Sequence, residues 1–154
     1  MKKGFIFLCK AVATIGAIGS FLVLTSKYMS KKSKELESKN KGQKIKKYQI
    51  CMDGKQVKIS EEEVEEISVQ CCMSGFVLDL TKAYIASDVT IKVQSLMSGV
   101  KIIVPPMVQV VYENSVNIMG GMANLVPTYE KEELPTIHIF VENLMGGISV
   151  SMQL

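Results

Sequence analysis

The chain has 154 residues, a formal net charge of +3, 47% apolar residues, 6% aromatic residues and no tryptophan. That length holds one ordinary domain plus an appendage, and so small a charge excess gives no bulk electrostatic case for nucleic-acid binding. With ten methionines and few rings, the core is expected to be aliphatic, methionine-rich and thin.

The first element in chain order is the apolar run from Phe5 to Leu24, broken only by Lys10. A run of about 20 apolar residues matches the ~30 Å hydrocarbon core of a bilayer. A cleaved signal peptide is the rival reading, because "MKK" and "AIGS" have the right character. The run is succeeded by Lys27, Lys31, Lys32, Lys34, Lys39, Lys41, Lys44, Lys46 and Lys47. Such a flank resists translocation and places the remainder of the chain in the cytoplasm. The expectation is an uncleaved single-pass anchor over 1–28, a basic juxtamembrane tether over 29–47 and a folded domain over 48–154. In the tether, Lys27, Lys31, Lys32 and Lys34 are expected to contact anionic lipid, at about 1 kcal/mol each near the surface. Glu35 and Glu37 intersperse the lysines, so the tether reads as flexible or weakly helical. Tyr28 and Tyr48 alone do not make a stacking platform for single-stranded nucleic acid.

Beyond the tether, one short pattern returns five times: "CMDG", "CMSG", "LMSG", "IMGG" and "LMGG", ending at Gly54, Gly75, Gly99, Gly121 and Gly147. A near-constant step of about 22 residues is the mark of a solenoid. Period-two alternation flanks the corners, as in Ile67 and Val69 before Gly75 and Phe76, Leu78 and Leu80 after it. Each repeat therefore reads as strand, tight corner, strand. The five glycines are expected to be structural, giving the corner positive φ and close backbone approach. Ser74, Ser98, Gly120 and Gly146 keep the preceding position small. The predicted fold is all-β, a single-stranded parallel β-helix or solenoid of about five repeats behind one N-terminal transmembrane helix. An antiparallel sandwich of hairpins is the competitor.

Polar and proline-bearing stretches mark the other corners: "TKAYIASD", "PPM" and "VPTYEKEELP". Ser60 and Glu63 have capping-box spacing and could start one helical turn, or lie in a charged connection. The repeat around Gly121 is irregular, with Asn124 where an apolar residue is expected and a longer step after it. The last strand, Ile148 to Met152, has no charge or proline to guard it and is expected to be an exposed solenoid end.

Chemistry is hard to find. Cys51, Cys71 and Cys72 fall in apolar strand contexts and read as reduced, buried thiols, because no CxxC pair or nearby histidine completes a ligand set. His138 sits between Ile137 and Ile139, on the outer face of a strand, with no nucleophile or orienting carboxylate in its neighbourhood of sequence. Asp79 and Asp88 have no partnered carboxylate, and no phosphate-cradling loop occurs. No catalytic residue, cofactor, metal, nucleic acid or small-molecule substrate is expected.

The strings "MSGFVLDLTKA", "VTIKVQSLMSGVKIIVPPMVQV" and "LPTIHIFVENLMGGISV" resemble the C-terminal domain of the LiaF-like, cell-wall-active antibiotics response family of bacterial membrane proteins, over roughly residues 67–154. The family usually has an aromatic where Met73, Met97, Met119 and Met145 stand. The resemblance implies a role in envelope-stress signalling through a membrane histidine kinase. The functional expectation is a membrane-anchored, cytoplasmic protein-interaction module whose partners are the membrane, a sensor kinase or other envelope protein, and further copies of itself. A self-assembling scaffold of the bactofilin kind is the runner-up; an exported adhesin-like head would need the opposite topology.

Overall fold

The computed structural model describes residues 31–32, 34–36, 38–130 and 133–153. The expected anchor over 1–28, and Lys27 with it, lie outside the described residues. No helix among the described residues is long and apolar enough to cross a membrane. Lys31, Lys32 and Lys34 are exposed on short helical turns within 31–40.

The rest is β-structure. Five strands, β1 (Ile45–Cys51), β3 (Glu66–Cys72), β5 (Val89–Leu96), β7 (Gln109–Asn117) and β9 (Thr136–Asn143), form one sheet. The other five, β2 (Gly54–Glu63), β4 (Gly75–Tyr84), β6 (Ser98–Val104), β8 (Gly120–Leu125) and β10 (Gly146–Met152), form the second. Every pairing is parallel, which rules out the antiparallel sandwich. One strand from each sheet, joined at a Met-x-Gly corner, makes a rung. The pairing arises from the repeat, because successive rungs present the same alternation and stack in register. The segment from Ser60 to Glu63 is strand, not helix, and β2 loses register there. Strand β1 begins at Ile45, three residues ahead of Tyr48.

The rungs do not stack in chain order. The sheets run β1-β3-β5-β9-β7 and β2-β4-β6-β10-β8. The fifth rung is therefore inserted between the third and the fourth, and the fourth is the end of the stack. This corrects the expectation for the last strand: β10 lies between β6 and β8 and has no free edge. It also explains Asn124, which stands in register with Val150 on the outermost strand. The inward column that holds Leu78, Ile102 and Val150 ends there, so an amide replaces a branched side chain where the core meets water.

Between the sheets the inward side chains form continuous columns. Ile67, Ile91 and Ile139 are in register and fully buried, as are Leu78, Ile102 and Val150. Each such side chain contributes roughly 1.5–3 kcal/mol on leaving water, and stacking like on like removes the need for large rings. Tyr48 and Phe76 make the one aromatic contact among the described residues, centroids 5.8 Å apart. At the first rung the isoleucine column ends in Lys46, 2% exposed, whose ammonium bonds Glu62 and the carbonyl of Asn40.

Candidate interaction edge

The corners that define the repeat line up along one edge of the molecule. Ordered through the stack, their methionines are Met52, Met73, Met97, Met145 and Met119. The pairing continues through the corners: Met52 N donates to Cys72 O at 2.9 Å, Met73 N to Leu96 O at 2.8 Å and Leu144 N to Ser95 O at 3.0 Å. All five methionines are exposed, from 38% at Met145 to 77% at Met119, which corrects the expectation of a methionine-rich core: the buried residues are valine, isoleucine, leucine and a few others. Leu96, Leu144 and Ile118 are exposed beside them. The result is an apolar stripe crossing five strands, or about 19 Å at ~4.8 Å per strand.

The backbone at this edge differs from what the glycines promise. Positive φ falls on the methionine: 54° at Met52, 48° at Met73, 53° at Met97 and 57° at Met119. At the fifth corner Gly146 takes it, at 137°. The predicted corner glycines Gly54, Gly75, Gly99, Gly121 and Gly147 have no left-handed φ, and a Cβ on any of them would meet nothing within 4 Å. Their column faces outward. Four of them, Gly75, Gly99, Gly121 and Gly147, floor a shallow groove of about 520 Å³ beside the row of Val77, Lys101, Ser149 and Ala123. The glycines that space forbids to change are the residues before them. A Cβ on Gly146 would overlap the Ser98 carbonyl, and one on Gly120 the Gly146 carbonyl. Ser74, Ser98, Gly120 and Gly146 stand before four of the five corner glycines, and at Gly120 and Gly146 the steric demand falls on this preceding position; Asp53 precedes Gly54.

Under the corners the inward column turns polar. Asn143, 2% exposed, donates from Nδ2 to Asn117 Oδ1 at 2.7 Å and to Gly146 O at 3.2 Å. Ser98 Oγ donates to Leu96 O at 2.9 Å and accepts from Ser74 N at 3.2 Å. These groups hold the corners in one geometry. On the outer face of the first sheet Gln49, Gln70, Gln94 and Glu142 form a ladder of side-chain bonds of 2.6, 2.8 and 2.8 Å across four strands.

His138 is on the outward face of β9, as expected. The structure adds two carboxylates that sequence proximity did not supply: Glu113 Oε1 at 3.1 Å from Nδ1 and Asp88 Oδ2 at 3.9 Å from Nε2. Asp88 also accepts from Thr136 N at 2.9 Å. These groups come from the third, fourth and fifth rungs and fasten the inserted rung in place. Asp79 accepts from the Thr81 hydroxyl at 2.6 Å and from Thr81 N at 3.1 Å, with Lys58 at 3.4 Å. The Thr81 hydroxyl bond, assisted by Lys58, holds this carboxyl below its ordinary range although burial opposes it. Cys51, Cys71 and Cys72 are free thiols. Burial pushes Cys71 up to about 11 and also raises Cys51, helped by the thiol of Cys72 next to it in register. No group of three or more His, Cys, Asp or Glu among the described residues could hold a metal ion.

A two-sheet, all-parallel stack of short rungs with an apolar methionine edge defines a repeat protein of the solenoid class. The profile of one family, cell wall-active antibiotics response LiaF, C-terminal, matches residues 52–150. The chain belongs to this LiaF-like C-terminal family. Comparison with curated proteins and with solved structures returned no match.

Proposed function

We propose that the protein is a non-catalytic regulator of envelope-stress signalling that works by binding another protein along the methionine edge. The observation that carries this is the pairing of strain with exposure. A left-handed φ costs a residue with a Cβ roughly 1–2 kcal/mol, and glycine or asparagine would relieve it. Four exposed methionines hold that conformation instead. Backbone strain retained at a surface is a pointer to function, and exposed methionines make adaptable apolar contacts.

The partner we infer is the cytoplasmic part of a membrane histidine kinase, with the protein held at the bilayer by the segment 1–28 and by Lys27, Lys31, Lys32 and Lys34. The direction of the chain supports this arrangement. The tether enters at Ile45, while the corner edge begins one strand later, about 20 Å away, so the methionines would point from the membrane toward a soluble partner. The test replaces Met73 and Met97 together by asparagine, which tolerates left-handed backbone but removes the apolar surface. Response to a cell-wall-active antibiotic and cross-linking to the kinase should both be lost, as in a strain lacking the protein, with the circular dichroism spectrum unchanged. A normal response and normal cross-linking would overturn the proposal.

A further inference from the structure

The two ends of the stack are built differently. At the first rung, the Asn40 side chain pairs with the edge of β1 as a strand would: Nδ2 donates to Lys47 O at 2.8 Å, and Lys47 N donates to Oδ1 at 3.0 Å. The ammonium of Lys46 closes the core beneath it. The neighbouring edge, β2, carries Lys55 and Lys58, loses register twice and has Glu61 at φ 58°. Plugs, lysines and bulges are how natural sheets stop their edges from pairing.

The fourth rung lacks most of these guards. Every residue of β8 is exposed, and its sequence GGMANL contains no charge and no proline. Leu125 is 68% exposed and Val116 on β7 54%. The single charged residue of β7, Glu113, is taken up by His138. Two long bonds cross this end, Tyr112 Oη to Ala123 O at 3.2 Å and Asn124 Nδ2 to Val110 O at 3.4 Å. A bulge with Asn114 at φ 38° breaks β7 after Glu113. The unguarded surface is therefore all of β8 with the first half of β7.

We propose that this end docks against the same end of a second copy of the chain, making a closed two-fold dimer. A two-fold axis there sets β8 antiparallel to its symmetry mate and brings the first halves of the two β7 strands together. A second copy fits better than a peptide from another protein. Both sheets end on this rung, about 10 Å apart, so the occupant must offer two strand edges at that spacing, and one extended peptide offers one. A head-to-tail filament would need the first rung, which Asn40 closes. The unguarded part of the end face, about 20 Å by 20 Å from strand length, sheet spacing and side-chain width, buries on the order of 800 Å² over both copies, the size of a weak, reversible interface. Because β8 has no charge, symmetry brings no like charges together on that strand, and the one charge on β7, Glu113, is held by His138 of its own chain.

The test uses the full chain in membranes, with its native cysteines replaced by serine or alanine. Single cysteines at each position from Gly121 to Leu125 are oxidised in turn, and Lys58→Cys serves as the capped-end control. A covalent dimer of twice the chain mass is expected from at least one β8 position and none from Lys58→Cys. The double variant Ala123→Cys, Lys58→Cys is expected to stop at the dimer. Light scattering of the detergent-solubilised wild-type chain should show the same dimer, and Ala123→Lys should weaken it at least tenfold with the circular dichroism spectrum unchanged. A ladder of higher products, an adduct of another mass, or a wild-type chain that is monomeric at every concentration would overturn the proposal. Met73→Asn should leave the dimer intact, so loss of kinase binding and loss of dimerisation are read separately.

Discussion

Asn143 donates its side-chain amide to Asn117 Oδ1 at 2.7 Å, although a complete corner, strand and loop lie between them in the chain. The bond exists because the fifth rung stacks on the inner side of the fourth. Removing it by Asn143→Ala should strand the Asn117 carbonyl oxygen under the corner and cost about 1–3 kcal/mol. Urea unfolding monitored by circular dichroism measures this, and an unchanged midpoint would place the corner's stability elsewhere.

Glycine substitutions should separate two neighbouring columns. Gly99→Ala puts a methyl group into open space and is expected to stay within about 0.5 kcal/mol of wild type. Gly146→Ala drives one into the Ser98 carbonyl from a φ of 137°, so a loss of roughly 3 kcal/mol or more is expected. Thermal melts of the two variants should differ by many degrees; equal melts would refute the assignment of the steric constraint.

Met97→Gly should raise stability, by on the order of 1 kcal/mol or less, because relief of left-handed strain outweighs the added chain entropy. The same change should weaken partner binding. A variant that is less stable than wild type would show that the methionines serve the fold.

Cys71 keeps its proton until about 11 in the folded chain, against an ordinary value of 9.0. A thiol raised in the fold contributes fully below the unfolded value and loses that contribution as pH rises through the folded one. Stability should therefore fall between pH 9 and 11, by on the order of 2 kcal/mol attributable to this group. Comparing denaturation of wild type and Cys71→Ala across that window isolates it, and parallel curves would contradict the assignment. At pH 8 an alkylating agent should label Cys71 only after denaturant is added.

Much of this architecture is legible in the residues. The Met-x-Gly spacing and the alternation around it give rung length, corner position and inward face, because a buried parallel stack demands the same chemistry of every turn. The order of stacking is another matter. Each rung offers its neighbours nearly the same columns, so Ile91 would sit as well beside Tyr112 as beside Ile139 by periodicity alone. Only Asn124 and the long step after Gly121 mark the rung that ends the stack. Glycine's reputation conceals the strain at the corners: Met73 and Gly75 share one short turn, and sequence does not say which of them takes the left-handed angle. The carboxylates around His138 are not legible in the sequence because Glu113 reaches it only across the stack from β7, and Asp88 only through the exchanged order that sets β9 beside β5.

That exchange sets a timetable for synthesis. The strands of the fourth rung leave the ribosome a full repeat ahead of the strands they will rest on, since β9 and β10 are the last to be made. At about 5–20 residues per second, the wait lasts on the order of seconds. Throughout it the third rung has an uncovered edge of the right register and the fourth rung is the nearest strand pair able to take it. The nascent chain must therefore either hold the fourth rung off or let it dock early and release it when the final strands arrive.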